Sequence, residues 1–434
     1  LSRQDFSKVI SKNKKLNKEK TMDDSLHDLR CSESFKPTVA AVGEFITREI
    51  APVSDEFYST PNTEDRWALS DRQTDILEGL KSKAKDAGFW NFFLPTWNGD
   101  GISNLDYAYL AEQLGRNPMS SEVVNCAAPD TGNMEVLERY GTDAHKQEWL
   151  EPLLDGKIRS CYAMTEPHRA SSDAANITHT VAVKDGDDYL VTGEKFYISG
   201  AGDKRCKIMI LMACTDPEGP KHQRHTMFCV PMDTPGIEVL GPMHVFGHDG
   251  APHGHMHIKY DKARLSSDMV ILGEGRGFEV AQGRLGPGRI HHCMRSIGQA
   301  EKALELMITR GLSRKAFGKE IIKLGGNFDV VARSRNEIDM MRMLVLKTAK
   351  AMDVLGNQEA RTHISQIKAI IPELVCEIID RSIQMHGAAG ISQWTPLAAM
   401  YTGARTLRFA DGPDEVHRMV VARNEIRKYE GLDA

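Results

Sequence analysis

The spacing of apolar residues changes period twice along this chain, and each change marks a change of architecture. From about residue 34 to 158 apolar side chains recur every three to four positions, as in Val39, Val42, Phe45, Ile46 and Ile50, the spacing of a buried helix face. From about 159 to 268 the period drops toward two, and turn signals at Asp185-Gly186 and Pro217-Glu218-Gly219 separate short runs such as 207–214 and 226–231. After Gly273-Glu274-Gly275-Arg276-Gly277 the helical spacing returns and lasts to the end. One stripe there is Val330, Val331, Ile338, Met341, Leu344, Val345 and Met352; a second is Ile364, Ile367, Ile371, Leu374, Val375, Ile378 and Ile379. Pro372 predicts a kink or a break in the second, because a proline inside a helix loses a hydrogen bond and clashes with the preceding turn. The expected fold is α+β, mostly α. It comprises a basic, flexible arm over 1–33, an N-terminal α-helical domain over 34–158, a middle β-barrel or sheet domain over 159–268, and a C-terminal four-helix bundle over 269–434.

Composition narrows the function. With 26% charged residues and a formal net charge of −5, a general polyanion binder is disfavoured and no nucleic-acid partner is expected. The eight cysteines contain no Cys-x-x-Cys, so neither a disulfide framework nor a zinc cluster is indicated and a reducing compartment fits. No apolar run approaches the roughly 18 residues of a membrane span. Lys8, Lys12, Lys14, Lys15, Lys18 and Lys20 make the first 22 residues a solvated arm. The arm is Lys-rich where transit peptides are usually Arg-rich, and the chain starts at Leu1, so targeting stays open. A Ser-Lys-Leu ending is absent.

Five segments carry candidate chemistry. In Arg408-Phe409-Ala410-Asp411-Gly412-Pro413-Asp414-Glu415-Val416-His417, a carboxylate precedes a helix start that Gly412, Pro413, Asp414 and Glu415 specify well. The others are Cys161-Tyr162-Ala163-Met164-Thr165-Glu166-Pro167 with Ser171-Ser172-Asp173, Gly193-Glu194-Lys195-Phe196-Tyr197-Ile198-Ser199-Gly200, Arg314-Lys315-Ala316-Phe317-Gly318-Lys319, and Gln384-Met385-His386-Gly387-Ala388-Ala389-Gly390. Together they offer hydroxyls and amides near aromatic rings, a cation beside an aromatic, and a small-residue loop, a combination suited to a large, flat, partly anionic cofactor. Taken singly, each also has a plain reading as a turn, a solvated helix face or a helix stop.

The order of these segments resembles the acyl-CoA dehydrogenase family from about residue 35 to 430. The subgroup of family members 10 and 11 is suggested by Ala128-Pro129-Asp130-Thr131-Gly132-Asn133-Met134-Glu135, by Gly283-Arg284-Leu285-Gly286-Pro287-Gly288-Arg289 and by the Asp411 corner. The resemblance implies FAD as cofactor, with Tyr162, Met164 and Thr165 lining the flavin, Ser172 at its phosphate or the pantetheine arm, and Tyr197 and Ser199 flanking the ring. It implies that Arg314, Phe317, Gln384 and Gly387 hold the FAD of a neighbouring subunit in a homodimer or homotetramer, and that Pro413 lies near the flavin. Gly286, Pro287, Gly288 and Arg289 would meet the CoA nucleotide or pantetheine, although a helix-surface salt bridge is nearly as good a reading of Arg289.

Asp411 aligns with the family's catalytic glutamate. It would take the α-proton of an acyl-CoA while its own N–H and a ribityl hydroxyl hold the thioester carbonyl. Some relatives carry the base in the segment matching 286–289, which here has no carboxylate. The implied activity is α,β-dehydrogenation of a fatty acyl-CoA to trans-2-enoyl-CoA in fatty acid β-oxidation, with electron-transferring flavoprotein as acceptor. The mitochondrial matrix is the implied location, with peroxisome or cytoplasm as alternatives. Competing readings are a flavin oxidase, either acyl-CoA oxidase or nitroalkane-oxidase-like, and a noncatalytic flavin- or thioester-binding scaffold. Arg169, where many relatives are glycine-rich, faces solvent or else the pocket mouth. His253, His255 and His257 alternate as on a strand, and a surface strand face is expected there rather than a metal site. His291 and His292 are expected at a subunit contact, and Asp414 and Glu415 as helix-start residues.

Overall fold

The structure, a computed structural model, describes residues 24–94 and 101–430. The lysine arm, the turn residues Gly99 and Asp100, and the last four positions lie outside the described residues. The amino-terminal part is helical: α1 (Lys36–Phe45), α2 (Ala51–Ser59), α3 (Asp71–Asp86), α4 (Asn104–Leu114) and α5 (Asp130–Tyr140) are its longer elements. Ser70 caps α3 by accepting from the Gln73 amide at 3.1 Å while the Gln73 side chain answers the Ser70 amide, a reciprocal capping box.

The middle of the chain folds into an eight-stranded sheet. Its strands are β1 (Arg159–Ala163), β2 (Val181–Asp185), β3 (Asp188–Ser199), β4 (Cys206–Cys214), β5 (His225–Pro231), β6 (Ile237–Pro242), β7 (His255–Leu265) and β8 (Val270–Ile271). The order is β6-β7-β3-β2-β4-β5-β8, and β1 runs parallel to β4. β4 shows why its sequence is apolar almost throughout. Ile208, Ile210 and Met212 join the core shared with the helices, whereas Met209, Leu211 and Ala213 fill a second core on the other face of the sheet.

Long helices then return: α6 (Gly277–Ser313), α7 (Asn327–Glu359) and α8 (Arg361–His386), followed by α9 (Leu397–Thr406) and α10 (Asp414–Glu430). A small hairpin of β9 (Lys315–Ala316) and β10 (Lys319–Glu320) links α6 to α7. α6, α7 and α8 pack against one another, and α10 packs on α8, giving a C-terminal helical domain. α8 passes through Pro372 without ending. Ile367, Ile371, Val375, Ile378 and Ile379 are buried on both sides of it, and that packing outweighs one missing hydrogen bond.

α6 and α4 cross with their backbones in near contact. A Cβ on Gly298 would lie 1.9 Å from the Glu112 carbonyl oxygen, and one on Gly115 would lie 1.9 Å from that of Arg295. Only glycine permits this approach, and it seats α6 between the amino-terminal helices and the bundle.

Candidate active site

Two of the candidate segments are joined by a buried ion pair. Lys195 Nζ donates to Glu166 Oε1 at 2.9 Å and to the Met164 carbonyl at 2.9 Å, with both charged side chains fully buried. Glu166 also accepts from the amides of Thr180 at 2.9 Å and His179 at 3.0 Å. Burial pushes the Glu166 carboxyl up and the Lys195 ammonium down, but Lys195 and the donated hydrogen bonds hold the carboxyl below its usual value. The end of β1 is thereby locked to the end of β3. At that end β3 carries an irregularity between Lys195 and Ile198, where Tyr197 has φ +55° and turns its ring out of the strand alternation.

β1 is anchored on its other side to α5. Arg159 Nε donates to Asp130 at 2.6 Å and Nη1 to Glu122 at 2.6 Å, and Ser160 gives both its amide and hydroxyl to Asp130 at 2.7 Å. Asn133 donates to Ser160 Oγ at 2.9 Å and accepts from Arg284 Nε at 3.2 Å. The Arg284 guanidinium then lies 3.9 Å from the centroid of the Tyr162 ring. The motif from Ala128 to Glu135 thus joins α5, β1 and α6.

These elements enclose a cavity of ≈ 960 Å³. Tyr162, Thr165, Tyr197, Ser199, Gly288 and Asp411 all face it. Met164 is buried and does not line it, with the Tyr162 hydroxyl 3.7 Å from its sulfur. Ser172 and Arg169 are exposed and do not line it. Gln384, Gly387, Arg314 and Phe317 are also exposed away from this cavity, Phe317 to 95%. Gly286 and Pro287 lie within α6, but their side chains are outside the described residues. Pro413 stands just before α10 and does not reach the cavity.

Several expectations change. Arg289 is neither a surface residue nor a cavity residue: its Nε donates to the Asp411 carbonyl at 3.0 Å, because α6 packs directly under the corner. His291 and His292 line the cavity, as do Arg284, Gly288 and Arg295, a stripe at helical spacing on one face of α6. His253 and His255 also face the cavity rather than an outer strand face, and His255 Nδ1 lies 2.8 Å from Ser199 Oγ. His257 instead pairs with Glu194 at 2.9 Å. Asp414 opens α10 as expected but is buried, accepting from Arg408 Nε at 2.7 Å. No group of three His, Cys, Asp or Glu that could hold a metal occurs among the described residues.

Asp411 occupies a strained corner. Its φ is +56° and that of Gly412 is +104°, the left-handed region where a residue with a side chain is uncommon. A Cβ on Gly412 would also press to 2.9 Å from His417 Nε2. The Asp411 carbonyl accepts from Arg289 and, at 3.2 Å, from His417 Nε2. The carboxylate points inward: Oδ2 lies 3.6 Å from His292 Nε2 and would sit 3.3 Å from a Cβ placed on Gly288. Burial alone would raise its pKa, but surrounding cations hold it below the usual carboxylate value. His292 is itself kept neutral, pushed down to about 4 by burial and by Arg295, so at neutral pH the holding charges are Arg284, Arg289 and Lys368.

Acyl-CoA dehydrogenase family descriptions match in three consecutive stretches, the N-terminal domain over 32–157, the middle domain over 161–260 and the C-terminal domain over 275–426. FadE2 of Mycobacterium tuberculosis, an acyl-CoA dehydrogenase by name, is 50% identical over 354 residues, covering 81% of this chain and 86% of that protein. The chain belongs to the acyl-CoA dehydrogenase family.

Acyl-CoA dehydrogenase family member 10 of Mus musculus is 48% identical over 91% of this chain, and family member 11 of Gallus gallus is 46% identical over 91%. The chain spans 37% and 51% of the length of those two relatives. A solved acyl-CoA dehydrogenase-family structure from Mycobacterium abscessus superposes with a TM-score of 0.88 at 47% identity, covering 92% of this chain and 100% of that one.

The family's cofactor is FAD, and the cavity suits it. Tyr162 and Tyr197 offer aromatic walls and Thr165 and Ser199 hydroxyls. Two buried guanidinium nitrogens, Arg295 Nη1 and Arg405 Nη1, have no partner among the described residues, which suits a cavity that receives anionic groups.

Proposed function

We propose that the chain oxidises the Cα–Cβ bond of a fatty acyl-CoA to trans-2-enoyl-CoA, as in fatty acid β-oxidation, with Asp411 as the α-proton base. The observation that carries this reading is the position of the Asp411 carboxylate, which faces the same cavity as Tyr162, Tyr197 and Ser199. When bound, FAD supplies the hydride acceptor for Cβ. Asp411 removes the proton at Cα. Its depressed pKa means that the carboxylate is ionised before substrate arrives, and an acyl chain that displaces water from the cavity raises its proton affinity when it is needed. The Asp411 N–H has no acceptor among the described residues and is free to hold the thioester carbonyl as enolate charge develops. Arg284 fixes the Tyr162 ring, and His255 fixes the Ser199 hydroxyl.

On this reading Arg314, Phe317, Gln384 and Gly387 serve the cofactor of a neighbouring copy, which accounts for their distance from the cavity of their own chain. Gly286, Pro287 and Gly288 border the pantetheine path, Ser172 meets cofactor phosphate or pantetheine at the rim, and Pro413 braces the base from outside. Electrons pass to electron-transferring flavoprotein, and the mitochondrial matrix is the expected location.

The test is an anaerobic titration of the FAD-loaded protein with acyl-CoAs of graded length, recording flavin absorbance for the parent and Asp411→Asn. Bleaching in the parent and a loss of about 1,000-fold or more in rate for Asp411→Asn are expected, a general-base effect on the order seen elsewhere. Parental reduction by the variant removes the assignment. An unbleached parent makes the chain a scaffold, and rapid oxygen consumption without added acceptor makes it an oxidase.

A further inference from the structure

Lys368 is a buried lysine whose ammonium contacts no carboxylate among the described residues. It lies in α8 with 0% of its surface exposed. Its Nζ donates to the carbonyl oxygens of Leu407 and, at 3.3 Å, Gly412, and to no carboxylate among the described residues. Sequestering an ammonium without an opposite charge in contact is costly, so stability is a poor explanation for its presence. An apolar side chain of similar length would fill the space at lower cost.

The two carbonyls explain it. α9 ends at Thr406 and α10 begins at Asp414, so Leu407 and Gly412 bracket the corner that carries Asp411. A single ammonium therefore ties the entry of that corner to its exit. The corner needs such ties, because the left-handed φ of Asp411, a residue with a side chain, persists only where its surroundings over-determine it. Arg289 and His417 hold the carbonyl between the two ends.

We propose that Lys368 is the positioning residue of the base, stapling both ends of the corner so that the Asp411 carboxylate and amide face the cavity. This rests on Asp411 being the base. Lys368 reaches no cavity wall itself and acts through the backbone.

Its charge has a second effect that can be read out. Asp411 is faced by Arg284, Arg289 and His292 from α6, Tyr162 from β1, Lys368 from α8 and His417 from α10. Lys368 is faced by Cys293 and Arg289 from α6, by Asp411, and by Asp414 and His417 from α10. Removing the Lys368 charge weakens the hold on the Asp411 carboxylate. The carboxyl then titrates at higher pH, and the acid limb of the rate profile moves upward.

The experiment compares Lys368→Met, Lys368→Arg, Asp411→Asn and, as a control, Lys81→Met in the FAD-loaded protein. Lys81 is a second buried lysine, paired with Glu78 and the Gly156 carbonyl away from the cavity. Three quantities are measured: the anaerobic flavin-reduction rate by acyl-CoA across pH, kcat against KM, and backbone hydrogen exchange over 407–413 in the presence and absence of substrate. Lys368→Met is expected to lower kcat about 100-fold, the scale of a 1 Å misplacement, with KM near parental. Its acid limb shifts to higher pH, and exchange quickens over 407–413 only.

Lys368→Arg keeps the charge and a donor, so its acid limb stays parental and part of kcat returns. Lys81→Met lowers the unfolding temperature with a parental acid limb. Parental kcat, acid limb and exchange in Lys368→Met overturn the proposal, as does loss of protection spread evenly over the bundle. If Lys368→Met does not fold, Lys368→Arg decides: a lower kcat with faster exchange confined to 407–413 supports the staple, and a lower unfolding temperature with parental kcat removes it. Parental flavin reduction in Asp411→Asn removes the base assignment instead. An inactive Asp411→Asn beside a parental Lys368→Met removes the staple alone.

Discussion

An aspartate reaches roughly 1.5 Å less far than a glutamate, so if Asp411 is the base, as proposed, its backbone must bring it close to the substrate. The left-handed corner carries the residue toward α6, and α6 presents a glycine there, so that the carboxylate approaches to the edge of what a methyl group would allow: 3.3 Å from an imagined Cβ on Gly288. Gly288 is helical, where alanine is normally the better residue by about 1 kcal/mol. Gly288→Ala is therefore expected to leave the unfolding temperature unchanged or raised while slowing flavin reduction by about tenfold, because the carboxylate must give way by a few tenths of an ångström. Calorimetry and stopped-flow absorbance on one preparation check both halves, and an unimpaired rate would show that the carboxylate acts from elsewhere. Asp411 itself was legible from its helix-start context and from the family motif. Its neighbours were not, since Gly288, His292 and Lys368 are 123, 119 and 43 positions upstream in an unbranched list of residues and meet only after folding.

At the scale of elements, the site depends on how strand ends are fastened. Lys195 and Glu166 join β1 to β3 beneath Tyr162 and Tyr197, and both are fully buried. Breaking such a pair by removing one partner leaves an uncompensated charge, at a cost of about 3–5 kcal/mol. Lys195→Met is expected to show that loss in urea unfolding and to release FAD more readily. The double change Lys195→Met with Glu166→Gln is expected to recover part of the stability, and a double variant no more stable than the single one would argue against charge as the cause. The sequence placed these residues inside the right motifs but as flanking letters, because a Lys and a Glu 29 positions apart read as two solvated charges until the sheet register brings them together. The polar stripe of Arg284, His291, His292 and Arg295 was detectable in principle by its helical spacing along α6.

Across the whole molecule, acid should act through histidines. Burial, the leading cause in each case, pushes His291 down to about 3, and His253, His292 and His417 down to about 4, from an ordinary 6.5. A histidine that folds neutral contributes stability that is complete above pH 6.5 and is lost as pH falls toward 4, because the unfolded chain takes up the proton first. Each contributes on the order of 3 kcal/mol over that window. Unfolding temperature is thus expected to fall steeply between pH 6.5 and 4, and His417→Gln to flatten the slope; an unaltered slope would place His417 outside the effect. Exposed apolar side chains bear on assembly: Phe317 is 95% exposed, Trp394 81% and Ile391 70%, on the parts of the chain that carry the remote cofactor candidates. A dimer or tetramer mass is expected by sedimentation, with Phe317→Asp and Trp394→Asp giving smaller species that retain FAD poorly. A parental monomer that holds FAD would exclude the shared site.

The sequence by itself determined the order of helices, strands and helices, the apolar stripes of the long helices, and some of the segments that meet at the cavity. These are properties of local period and of short motifs, which a linear reading can register directly. Tertiary structure alone decided which charges became site parts. Arg289 reads in the sequence as a CoA contact or a helix-surface cation, and nothing in the sequence singles out Lys368, yet both are turned inward onto the carbonyls of one strained corner. Pro372 predicts a kink or a break, and buried isoleucines on both sides carry the helix past it. The physical reason is common to all three. Whether a polar group or a lost hydrogen bond is tolerated depends on the atoms packed against it, and those atoms come from elements far away along the chain.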